Sequence, residues 1–92
     1  MTARALTTDQ RVRARSLYAA LRGPAGVGLF PVPAWVLKAY VEAAVTGGDR
    51  ADACARAHFG VVFAGLGPGG QDCVRGWADR LGAAERAAEV GV

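Results

Sequence analysis

The chain contains no isoleucine and no asparagine, and it holds one histidine, one serine and one lysine. Each scarcity excludes something. Without isoleucine, the bulky part of a core has to come from leucine, valine and the few aromatics. Apolar residues make up 52% of the chain, but 20 of them are alanine. Alanine faces let helices approach closely, yet each buries little area at about 25 cal/mol per Å². Such a chain is expected to draw part of its stability from a partner or a second copy. With so few nucleophiles, bases and amide side chains, the catalytic inventory is meagre, and no enzyme and no cofactor are expected. Two cysteines, Cys54 and Cys73, are too few for a disulfide framework, which makes a reducing cytoplasmic setting the expectation. No apolar run approaches the ~18 residues of a membrane span. The opening "MTARALTTDQRVR" lacks the long apolar core of a secretory signal.

What is present reads as one all-α domain over residues 1–92, a bundle of about four short helices. The first helix is expected from about Thr8 to Arg22, with Thr7 or Thr8 as N-cap and Asp9 in its first turn, ended by "GPAGVG". The second should begin near Pro33 and stop at "GG" after Thr46. The third starts on the cap Asp49 and is expected to carry through Phe59 into Val61, Val62 and Phe63. The fourth spans about Gln71 to Leu81. The segment 83–92 has strong helix formers but almost no bulky apolar residue, so it is read as either a frayed extension or an arm ordered by a partner. Trp77 aligns with Val74 and Leu81 and belongs to the core.

Two constellations invite chemistry. Gly65, Gly67 and Gly70 match the dinucleotide spacing G-x-G-x-x-G. That motif needs a strand before it and another strand beyond the helix that follows. Only 22 residues follow Gly70, none of them strand-like, and the run Val61–Ala64 continues a helical pattern. The glycines are therefore read as an interhelical joint. Cys54 and His58 share a helix face, and Cys73 on the next helix can fold back toward them as a zinc shell with an open position. There is no C-x₂-C pair, however, and the face is otherwise alanine and valine. Buried thiols acting as small hydrophobes, beside a hydrogen-bonded histidine, are the expectation, and no metal is assigned.

Charge carries the clearest signal. Residues 1–30 hold five arginines against Asp9, a balance of +4, while residues 31–92 balance at −1, which together make the net +3. On a helical projection Leu6, Ala14, Leu17 and Leu21 cluster on one side. Arg4, Arg11, Arg15 and Arg22 lie within ~40° of one another on a stripe turned away from them, with Tyr18 beside it. Asp9 is placed to pair with Arg13 rather than with the stripe. On the second helix, Trp35 falls near Lys38, Glu42 and Thr46, away from the apolar side. It is either packed on "LFPVP" or left as an aromatic anchor for a partner. The expected partner-binding residues are thus Arg4, Arg11, Arg15, Arg22, Tyr18 and Trp35. An acidic protein surface or another copy of the chain is the expected partner. The size suits an accessory or structural subunit of a phage or bacterial complex. The alternative is a DNA- or RNA-binding accessory protein using the same stripe on phosphates. A helix-turn-helix in the second and third helices is disfavoured, because Asp49 and Asp52 would face phosphates with only Arg50 and Arg56 to offset them.

Overall fold

Four α-helices build the molecule: α1 (Thr8–Ala25), α2 (Ala34–Thr46), α3 (Arg50–Phe59) and α4 (Pro68–Val90), with a short 3₁₀ turn at Phe63–Gly65. The computed structural model describes residues 6–28 and 30–90. The helices pack α1 on α2, α2 on α3, and α4 across α1 and α3. The Cα envelope measures 36 × 35 × 18 Å. Since one helix with its side chains is about 10–12 Å across, this is a slab barely two layers thick, and every helix keeps an uncovered side.

Local signals set the helix starts. Thr7 Oγ1 accepts the Gln10 N–H at 3.1 Å while Gln10 Oε1 accepts the Thr7 N–H at 2.9 Å, a reciprocal capping box worth about 1 kcal/mol. Asp49 caps α3 by accepting the Asp52 N–H at 2.9 Å. Gly47, at φ 77°, ends α2 in the left-handed conformation that costs glycine least.

Four boundaries differ from the sequence expectation, each for a physical reason. α1 does not stop at Arg22 but runs through Gly23 and Pro24. Proline forfeits its own N–H bond and crowds the carbonyl four residues back, but it falls in the last turn, and the next residue, Ala25, is buried with its carbonyl accepting the Val32 N–H at 2.8 Å. α3 ends at Phe59 because Gly60 turns left-handed at φ 75°. Val61 and Val62 therefore leave the helix for solvent rather than joining the Cys54 face. Their segment is held by Asp52, whose Oδ1 accepts the Phe63 N–H at 2.9 Å. That backbone bond, then the Arg56 guanidinium at 2.9 Å, holds the Asp52 carboxyl below its ordinary range.

α4 starts at Pro68 rather than Gln71, the proline's missing N–H falling among donors that a first turn leaves unpaired anyway. Gly69 and Gly70 lie inside α4. The Gln71 amide donates to the carbonyls of Phe63 and Leu66 at 3.3 and 3.2 Å, tying this start to the preceding turn. At its other end, α4 continues past Leu81 to Val90, so the segment expected to be a frayed or partner-ordered arm is helical as far as residue 90. Ala84 packs on the core and Glu85 reaches across to α2 and α3. Residues 91–92 lie outside the described residues.

α2 is the axis of the core, burying Val36, Leu37, Tyr40, Val41, Ala43, Ala44 and Val45. Leu21 from α1, Cys54 and Ala55 from α3, and Val74, Trp77 and Leu81 from α4 close around it. Trp77, Val74 and Leu81 are core residues as the periodicity predicts. The Cys54 thiol is fully enclosed, and burial pushes its pKa up to about 11. Cys73 is only half-buried. In the native state a thiol reagent at neutral pH should therefore label Cys73 readily and Cys54 only at the rate of unfolding. Equal labelling of both without denaturant would contradict this packing.

Candidate functional site

α1 and α2 are joined by a short loop and lie side by side, and their outer faces leave a shallow groove of about 450 Å³ between them. The floor is apolar, made by Leu6, Ala14, Tyr18, Ala19 and Val41. The rim is cationic: Arg11, Arg15 and Arg22 come from α1 and Lys38 from α2, with Glu42 the one acid among the lining residues.

The expected stripe is therefore largely assembled. Arg11, Arg15, Arg22 and Tyr18 line one groove, Tyr18 half-buried as part of the floor. Arg4 lies outside the described residues. The ion pairs among the described residues are Arg50–Glu85, Arg56–Asp52 and Arg75–Asp72, and none involves a groove cation. Four cations around one carboxylate thus stand exposed to solvent. Arg11 and Arg15, one turn apart, repel by a few tenths of a kcal/mol.

The expected Asp9–Arg13 pair is not among those ion pairs. Arg13 points instead to the α1–α4 side, where it lines a second groove with Leu17 and Glu89 and its charge favours the ionised Glu85 carboxylate. Arg13 is thereby turned away from the stripe, which is why the groove rim carries three of the described arginines of α1 and not four.

Trp35 is not part of the groove lining. It is 57% exposed, and its ring lies parallel to the His58 imidazole at 6.0 Å, 3° from coplanar orientation. Its indole N–H donates to His58 Nδ1 at 3.1 Å. Its partner is thus α3 rather than the loop before α2. His58 also meets Phe59 and Trp77 edge-on at 4.8 and 5.1 Å. This occupies the one imidazole of the chain in an aromatic cluster, with Nδ1 as an acceptor. Among the described residues there is no group of three or more His, Cys, Asp or Glu side chains placed to hold a metal ion.

Beyond the expected residues, the groove is lined by Leu6, Ala14, Ala19, Lys38, Val41 and Glu42. Lys38 and Glu42 are one turn apart on the polar side of α2, and the short α1–α2 connection makes the two helices neighbours. Together these bring Lys38 and Glu42 into the groove that the stripe borders. The helical projection puts Leu6 on the apolar side, but Leu6 precedes the N-cap Thr7, lies outside the helix and lines the groove.

Among the described residues no helix is long and apolar enough to cross a membrane. Compared with protein-family models, with curated proteins and with solved structures, the chain finds no match.

Proposed function

We propose that this chain is a small non-enzymatic interaction module that docks an acidic protein surface into the α1–α2 groove. The observation that carries the reading is the rim of Arg11, Arg15, Arg22 and Lys38, set around an apolar floor with no carboxylate among the described residues pairing any of the four. Guanidinium groups bind carboxylates in bidentate fashion, and an apolar floor rewards the side chains of a protein more than the sugar-phosphate backbone of a nucleic acid.

A different protein is favoured over a second copy. The exposed acids of α4 that share a face, Asp72 and Asp79, are two turns apart, but Asp72 already meets Arg75 at 3.4 Å. Glu42, Asp49 and Asp52 line another groove together, but Arg56 shares it and pairs with Asp52 at 2.9 Å, so among the described residues neither acidic set is a free row that answers the arginines. An accessory or structural subunit of a larger assembly is the role that fits a module of this size.

The test compares the wild type with Arg11→Glu/Arg15→Glu as bait, each first shown to melt cooperatively. Acidic proteins retained by the wild type at low salt should be lost from the double variant and released by about 0.5 M salt, where screening acts within a few ångströms. Identical recovery by both baits would end the reading. A mobility shift of random duplex DNA at low salt, abolished in the double variant, would transfer the groove to nucleic acid.

A further inference from the structure

We infer that the segment received by this groove is an amphipathic α-helix, lying along α1 with acidic residues on one edge and small or branched apolar residues on the face below. The inference rests on the groove being a protein-docking site and specifies what the partner must present there.

Backbone chemistry decides the form of the occupant. Both walls are helices whose N–H and C=O groups are bonded internally, so the groove has no sheet edge to which an extended segment can add. An extended peptide pressed onto Leu6, Ala14, Tyr18 and Val41 would lose water from its own amides and find no replacement partner among those side chains. A helix brings its backbone already satisfied and needs only its side chains to meet the floor. Ala14 and Ala19 keep that floor low, which allows an incoming helix to approach closely.

Spacing decides where the acids lie. Arg11, Arg15 and Arg22 are separated by four and seven residues, close to one and two helical turns, and span roughly 16 Å of helix rise. A neighbouring helix with acids at i, i+4 and i+11 keeps all three on one edge at the same separations. In a strand, at about 3.3 Å per residue, the third acid of such a set falls an odd number of residues from the first and points to the opposite side. Lys38, on the opposite wall of the groove, adds a fourth cation to the seat.

The probes are synthetic 18-residue peptides carrying a fluorophore. The first places Glu at i, i+4 and i+11 with Leu and Ala on the adjoining face. The second has the same composition scrambled so that acids and leucines no longer share a side. The third is the first with a central proline. Titrated into the full chain at low salt, the first should bind at least tenfold more tightly than the other two and gain helical circular dichroism on binding. Arg15→Glu, checked for an unchanged melting curve, should weaken it tenfold or more, whereas Arg75→Glu on α4 should not. If all three peptides bind equally and lose affinity with Arg15→Glu, the groove takes acidic chains without requiring a helix; the inference then fails while the proposed function stands. If none binds at millimolar concentration, or if Arg15→Glu changes nothing, both fail together.

Discussion

Trp77→Ala should cost about 3–5 kcal/mol of folding stability, the largest effect expected of any single substitution in this chain. Trp77 is 5% exposed and sits between Val74 and Leu81, both fully buried, with the His58 ring edge-on at 5.1 Å. Its removal opens a void beside Val74 and Leu81, in a core whose other members are mostly alanine, valine and leucine, and these short side chains cannot swing in to close it. For a domain of this size each kcal/mol moves the melting temperature by about 4–8 °C, so the midpoint should fall by roughly 12–40 °C. Trp77→Phe should be far milder, about 1–1.5 kcal/mol. The indole N–H of Trp77 is buried with no acceptor, so its loss removes an unpaired donor at the same time as it removes packing. Thermal melts followed by circular dichroism measure both. If the phenylalanine variant were as damaged as the alanine variant, the indole N–H would have to be held by a group the packing does not show.

The second large effect concerns the clasp that joins three helices. The Tyr40 hydroxyl on α2 donates to Glu85 Oε1 at 2.7 Å, and Arg50 on α3 donates through Nε to Oε1 at 3.1 Å and through Nη2 to Oε2 at 2.9 Å. The Glu85 side chain is 12% exposed and that of Arg50 37%, so the carboxylate is the enclosed member of the pair. Glu85→Ala strands the hydroxyl of a fully buried tyrosine and frees the guanidinium, at a cost of about 2–3 kcal/mol. Glu85→Gln keeps an acceptor for Tyr40 and should cost about 1 kcal/mol.

The clasp also gives stability a pH dependence with a definite sign. Burial pushes the Glu85 carboxyl up, but hydrogen bonds from Arg50 and Tyr40, and the charges of Arg50 and Arg13, together outweigh it and leave the pKa below the ordinary 4.5. A carboxyl whose folded pKa is depressed contributes stability above its unfolded value and loses it as pH falls through the folded one. The difference in stability between the wild type and Glu85→Gln should therefore be constant above about pH 5 and shrink toward zero in acid. At the alkaline end the Tyr40 hydroxyl is raised by burial first and then by its bond to Glu85, so its stabilisation is complete below its ordinary value of 10.0 and declines as pH rises beyond it. Denaturant titrations at a series of pH values would show both limbs. A wild-type curve parallel to that of Glu85→Gln through the acid range would mean the carboxylate is not engaged.

These two effects matter for the proposed docking role because they hold the walls of the groove. Tyr40 and Lys38 belong to the same helix, and α4, clamped by Glu85, lies against α1. Loss of the clasp should loosen α2 against its neighbours and weaken acidic-peptide binding even though no groove cation has changed.

What could be read without coordinates was what depends on neighbours three to seven positions away. The caps at Thr7 and Asp49, the stop at Gly47, the placement of Val74, Trp77 and Leu81 inside, and the alignment of Arg11, Arg15 and Arg22 along one edge all follow from the period of the helix and from donors within a single turn. Interactions between residues far apart in the chain decided the rest. Pro24 stays helical because Ala25 is drawn into the core, α4 reaches Val90 because Glu85 meets Tyr40 and Arg50, and Trp35 turns to His58. Lys38 and Glu42 join the rim only when α2 lies beside α1. Helical period places side chains around one axis and says nothing about which axis stands next to it. The row of arginines was accordingly legible in the amino-acid order, whereas the groove it borders exists only once two helices are packed side by side.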